Sequence, residues 1–133
     1  MNAPHHTLIW IDHREAKLFH FDDTDAEQTV VRSAHPDQHI HHKANSPDSG
    51  HVGVDKEFLK RVTHAISATD SIVITGPANA KVELAGVIRS TQPALGALIR
   101  GVEPLDHPSD GELLKLGRRF FRREDRTQEL LRK

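Results

Sequence analysis

The sequence predicts an α/β domain: a mixed five-stranded sheet with helices on its faces, elements in the order β-β-β-α-β-α-β-α and strands in the order 3-2-1-4-5. Three observations carry this. Ile72, Val73 and Ile74 form a β-branched run that is apolar on both faces, as in a strand covered from both sides. Gly76-Pro77 breaks the run, and Leu84, Val87 and Ile88 follow at helical spacing, so strand, turn and helix make half of a βαβ unit. Ahead of it lie three strand-like runs joined by short polar turns, the pattern of an antiparallel meander. Right-handed crossovers then add the later strands in parallel.

Thr7 to Asp12 (TLIWID) and Glu15 to Asp22 (EAKLFHFD) are the first two strands, with His13-Arg14 between them as a hairpin turn. The second alternates, Ala16, Leu18 and His20 on one face and Lys17, Phe19 and Phe21 on the other. The acidic stretch Asp22-Asp23-Thr24-Asp25 is the next turn, and Glu27 to Ser33 the third strand. Asp55 to Ala68 reads as a helix, with Asp55 as N-cap, Glu57 in the first turn, and Phe58, Leu59, Val62 and Ile66 as its buried stripe. The helix after Gly76-Pro77 ends near Ser90 to Pro93, and Ala94 to Arg100 is read as one more helical turn. Gly101 to Asp106 is the last strand, placed at an edge by Pro104. Ser109 and Glu112 fit a capping box that starts the final helix. Its apolar stripe is Leu113, Leu116, Gly117, Phe120 and Phe121, opposite Lys115, Arg118, Arg119, Arg122 and Arg123.

Residues 1–133 read as one domain, with a long histidine-rich loop over 34–54 and a basic C-terminal tail over 124–133. The chain has no cysteine, which excludes disulfides, zinc-thiolate sites and thiol nucleophiles. No apolar run approaches the ~20 residues of a membrane span, and the start MNAPHHTLIW lacks the pattern of a signal peptide. The expectation is a soluble cytoplasmic protein with no membrane partner; a homo-oligomer stays open. Charge is unevenly placed. Residues 115–133 hold eight Lys/Arg and three Asp/Glu, net +5, while residues 1–114 hold ten against sixteen, net −6, making the −1 of the whole. An acidic body with a basic end points to a polyanionic partner for that end, or to a solvated helix face.

The strand order is that of ribonuclease-H-like folds. Combined with GPANAKVEL after the buried strand, it resembles the middle domain of eukaryotic and archaeal peptide release factors and of the ribosome-rescue factor Pelota. There a Gly-Pro turn with a following lysine enters a helix, and Gly76, Pro77 and Lys81 match it. The opening IDHREAKLFHF is similar to the first hairpin of bacterial relatives of those factors, with Asp12 and Ala16 at the matching turn. The tail VEPLDHPSDGELLKLGRRFF is similar to small bacterial proteins labelled translational machinery proteins, the nearest of these resemblances. The resemblance implies a translation-associated role. Release factors carry Gly-Gly-Gln between the third strand and the first helix, and residues 34–54 hold no such tripeptide. The expectation is therefore a lone, non-catalytic domain of a translation-factor type.

Several residues bear on chemistry. Arg118, Arg119, Arg122, Arg123 and Arg126, spaced by three and four, gather along one side of the last helix and suit phosphates. Lys81, at a helix start beside Gly76-Pro77, joins them as a candidate anion contact. With five Phe, one Trp and no Tyr, a platform for stacking bases is not expected. The expected partner is the ribosome or structured RNA. No cofactor is expected apart from a divalent metal at His35, His39 and His42, with His51 or Asp37 as a fourth ligand. Two rival readings remain: a metal-dependent hydrolase or nuclease using Asp12, Glu57 and the loop histidines, and a protein-interaction module docking the last helix on an acidic partner. Asp106 and His107, at the end of the edge strand, are a distant substitute for a further metal ligand.

Overall fold

The structure is a computed structural model that describes residues 5–22, 24–34 and 55–131, with side chains through residue 123. Five strands form one sheet: β1 (His6–Ile11), β2 (Glu15–Phe21), β3 (Ala26–Arg32), β4 (Ser71–Gly76) and β5 (Ile99–Pro104). Their order is β3-β2-β1-β4-β5, as the sequence predicts. β1 pairs antiparallel with β2 and parallel with β4, so it lies at the middle with every residue buried. β4 is the other fully buried strand, consistent with its β-branched run.

The two hairpins start from the same device. Asp12 Oδ1 accepts from the Arg14 and Glu15 amides at 2.8 and 2.9 Å, and Asp22 Oδ1 accepts from Thr24 and Asp25 at 2.9 and 2.6 Å. An aspartate that collects the amides of its own turn supplies the chemistry that His13-Arg14 lacks. At the end of β4, Gly76 has φ +144°, and a Cβ there would lie 2.1 Å from the Ile11 carbonyl oxygen. Only glycine lets β4 run this close to β1 as the chain turns away.

Helices cover both faces. α1 (Lys56–His64), α2 (Ala80–Thr91) and the short α3 (Pro93–Gly96) lie on the first face, and α4 (Asp110–Leu131) covers the second. The period-2 alternation of β2 sorts its side chains between them: Ala16 and Leu18 pack under Phe58, Val62 and Leu84, whereas Phe19 and Phe21 join Trp10, Leu113 and Phe121.

Three boundaries differ from the sequence reading. α1 stops at His64 rather than Ala68, because Ser67 turns back and donates its amide to the His20 imidazole at 3.2 Å. The helical turn expected over Ala94 to Arg100 is α3, which ends at Gly96, and Ile99-Arg100 already belong to β5. The Ile72 amide donates to Leu98 O, and the parallel ladder recruits the residues behind it. α4 runs to Leu131, through most of the expected tail. No helix among the described residues is long and apolar enough to cross a membrane.

Candidate nucleic-acid interface

The start of α4 is held on three sides. Glu112 N donates to Ser109 Oγ at 3.2 Å and Ser109 N to Glu112 Oε1 at 3.0 Å, completing the capping box. The Ser109 amide holds the Glu112 carboxyl below its ordinary range. Asp110 receives Lys17 Nζ at 2.8 Å and Gln28 Nε2 at 3.1 Å, which ties the first turn to β2 and β3. The Lys17 hydrogen bond, with that of Gln28 behind it, pulls the Asp110 pKa down.

Further along, Leu113, Gly117 and Phe121, each four residues apart, face the sheet, with Leu114 and Phe120 half-buried beside them. Leu116, expected in this stripe, is 39% exposed, and Leu114 takes its place. The rotation is set at Gly117, where a Cβ would lie 2.6 Å from Phe21 Cζ, so the helix backbone rests almost on that ring. Phe121 completes the seat by stacking on His6 with ring centroids 4.4 Å apart.

The outward side carries the basic residues. Arg119, Arg122 and Arg123 are exposed, and no described residue forms an ion pair with them. Arg118 is half-buried, its guanidinium carbon 5.4 Å from the Phe21 ring centroid, so it is part of the helix seat as well as of the charged side. Arg126 lies on the same helix, outside the residues with described side chains. Lys81 is not brought to this cluster. It belongs to α2 on the other face of the sheet, where its ammonium donates to Ala78 O.

A second polar group forms at the far end of β1. His107 Nδ1 lies 2.8 Å from Asp106 Oδ1, and its Nε2 lies 3.6 Å from Asp12 Oδ2. The hydrogen bond to Asp106, reinforced by Asp12, raises the His107 pKa. The Trp10 indole donates to Asp106 O at 2.7 Å and meets the His107 ring edge-on at 5.1 Å. Asp12, Asp106 and His107, offered by the sequence as metal-ligand candidates, meet here. Sequence reading missed Trp10 in this group and Lys17 at the start of α4, whose partners lie about 95 residues away. Glu57 is not joined to Asp12 among the described residues; its amide donates to the Asp55 cap. No group of three His, Asp or Glu residues able to hold a metal occurs among the described residues, and His35, Asp37, His39, His42 and His51 lie outside them.

The sequence matches no protein-family model and no curated protein. Solved structures share its fold. Pelota of Archaeoglobus fulgidus superposes with a TM-score of 0.62 over 89% of this chain and 32% of its own, at 14% identity. The Thermoplasma acidophilum Pelota protein gives 0.55 over 83% and 30%, at 19% identity. An archaeal translation termination factor gives 0.57 over 80% and 31%, at 14% identity. The chain therefore spans about a third of each of these proteins, and at such identities the likeness establishes the fold.

Proposed function

We propose that the protein is a non-catalytic, translation-associated domain that binds ribosomal or transfer RNA through the outward side of α4. The observation that carries this is the exposure of Arg119, Arg122 and Arg123 on a helix whose other side is seated in the core. Like charges three and four residues apart repel in the free protein, and phosphates relieve that repulsion while releasing counterions. Guanidinium groups bind phosphate through two parallel hydrogen bonds. Phe19, Phe21, Phe58, Phe121 and Trp10 are buried, so contact with the backbone of structured RNA fits better than base stacking. The fold likeness to a translation termination factor supports the translational setting, and the cytoplasm goes with it. The absence of Gly-Gly-Gln from residues 34–54 argues for binding rather than peptidyl-tRNA hydrolysis, and the reading calls on no cofactor.

Sedimentation with ribosomes at ~50 mM and ~200 mM salt tests this. Wild type is expected in the ribosome pellet at the lower salt and largely released at the higher. The Arg119→Ala, Arg122→Ala, Arg123→Ala triple variant is expected in the supernatant at both, with an unchanged melting temperature. Arg118 is left in place because it also packs on Phe21. Wild type that stays in the supernatant at low salt refutes the proposal, as does a triple variant that still pellets.

A further inference from the structure

Asp12, Asp106 and His107 are carried to one place by two strand ends. Asp12 follows β1 and Asp106-His107 follow β5, so the group lies outside the carboxyl ends of strands that run parallel through β4. The connections after β4 and β5 part to opposite faces, α2 on the first and α4 on the second. In open α/β sheets, ligands bind where successive connections diverge in this way. Local contacts fix each member of the group. Asp12 Oδ1 is taken by the Arg14 and Glu15 amides, and Oδ2 faces His107 Nε2. The Leu105 amide donates to Gly76 O at 3.1 Å and the Trp10 indole to Asp106 O, which ties down the segment that bears His107. Lys17, over the Trp10 ring, is committed to Asp110 at 2.8 Å.

We propose that Asp12 Oδ2 and His107 Nε2 together bind a divalent transition-metal ion of the zinc type, with Asp106 holding the imidazole from behind. Asp106 Oδ1 lies 2.8 Å from His107 Nδ1, and a proton on that nitrogen leaves the Nε2 lone pair for a metal. Asp12 Oδ2 stands 3.6 Å from Nε2. Two ligands of one tetrahedral zinc ion, each at about 2.0–2.1 Å, lie about 3.4 Å apart. The His107 side chain, 63% exposed, needs to shift by only a few tenths of an ångström to reach that spacing. A carboxylate on the far nitrogen is the usual support of a metal-bound histidine, since it fixes the tautomer and strengthens the ring as a donor. One imidazole nitrogen beside one carboxylate oxygen suits Zn²⁺, Co²⁺ or Ni²⁺, whereas Mg²⁺ and Ca²⁺ take oxygen ligands throughout. Asp106 supports the ring and does not reach the ion, so the protein supplies two ligands and water the rest, and the ion exchanges readily. The same carboxylates raise the His107 pKa, which shows that the position favours positive charge. The site stands at the start of α4, apart from the arginines read as the RNA surface, and does not depend on that reading.

Titration of the full chain with Co²⁺, followed by tryptophan fluorescence, tests this. Trp10 is the chain's one tryptophan and its ring centroid lies 5.1 Å from that of His107, so paramagnetic Co²⁺ held by His107 quenches its emission. Other histidines take up Co²⁺ as well, so the readout is the part of the quenching that His107 controls rather than total uptake. Wild type is expected to show saturable quenching below about 1 mM Co²⁺ at about pH 8, where protons compete least. Zn²⁺ is expected to reverse it, and a roughly tenfold excess of Mg²⁺ to leave it in place. His107→Gln is expected to lose the saturable quenching. Asp12→Asn keeps an oxygen for the turn amides but loses the charged ligand, and is expected to weaken binding at least tenfold; Asp106→Asn is expected to weaken it about tenfold. Wild type unquenched up to about 1 mM overturns the proposal, as does a His107→Gln chain quenched like wild type. An Asp12→Asn chain of wild-type affinity overturns the pairing of the two ligands. If Asp12→Asn misfolds, Asp106→Asn decides: wild-type affinity there overturns the supported-histidine site.

Discussion

Two histidines at opposite ends of the sheet show how one residue type takes opposite settings. His20 Nε2 accepts the Ser67 amide, which only the unprotonated nitrogen can do. Burial pushes its pKa down, and Glu27 across the strand pair offsets part of that. His107 is exposed between carboxylates, and its hydrogen bond to Asp106 raises its pKa. The two therefore act on stability with opposite sign. The His20 contribution is present above the unfolded value of about 6.5 and is lost as pH falls through the lower folded pKa. The His107 contribution is complete below about 6.5 and is lost as pH rises through the higher folded pKa. In an NMR titration, His20 is expected to show a midpoint below about 6.5 and His107 one above it. Glu27→Gln should lower the first further, and Asp106→Asn should bring the second down. Coincident midpoints would contradict both assignments. Alternation along β2 placed His20 correctly on the Ala16 face, but its bond to a residue 47 positions later left no local trace.

At the level of elements, α4 shows how far a helix can be read before its neighbours are known. The capping box at Ser109 and Glu112 is local chemistry, and the structure contains it as the sequence predicts. Rotation about the helix axis is another matter. Leu114 and Leu116 are equally apolar, and the close approach of Gly117 to Phe21 decides between them. Gly117→Ala tests that approach. Alanine favours the helix by about 1 kcal/mol. A methyl 2.6 Å from a buried ring costs more, because Phe21 is held between Phe121 and Arg118. The expected net effect is a loss of about 1–2 kcal/mol in urea denaturation. Gly111→Ala serves as the control, since its Cβ would meet nothing nearer than Ser109 Oγ at 4.0 Å. Equal stability of Gly117→Ala and wild type would show that the helix does not rest on the ring.

The whole molecule is a sheet with two unequal covers. α1 and α2 share the first face, whereas the second face is covered among the described helices by α4. Removing α4 by ending the chain at Pro108 uncovers Leu8, Trp10, Phe19 and Phe21 together. Such a chain is expected to lose the near-UV signal of Trp10, bind an apolar dye and unfold without a cooperative transition. A sharp transition in the shortened chain would show that the first face suffices. Charge is divided at the same scale, with the acidic turn and the β3 edge at one side and the arginines on the outward side of α4.

Sequence by itself determined the elements, their order, the five-stranded topology and the sorting of apolar residues between two faces. These follow from periodicities of two and 3.6 residues and from glycine, proline and capping residues, all expressed within a few positions of the chain. Tertiary structure decided which leucine of α4 faces inward, that β5 begins at Ile99, and that Asp12 meets His107. It also set Lys81 on the face away from Arg119, Arg122 and Arg123. Each of these depends on strand register and helix approach between residues far apart in the chain, and no local pattern encodes such a distance.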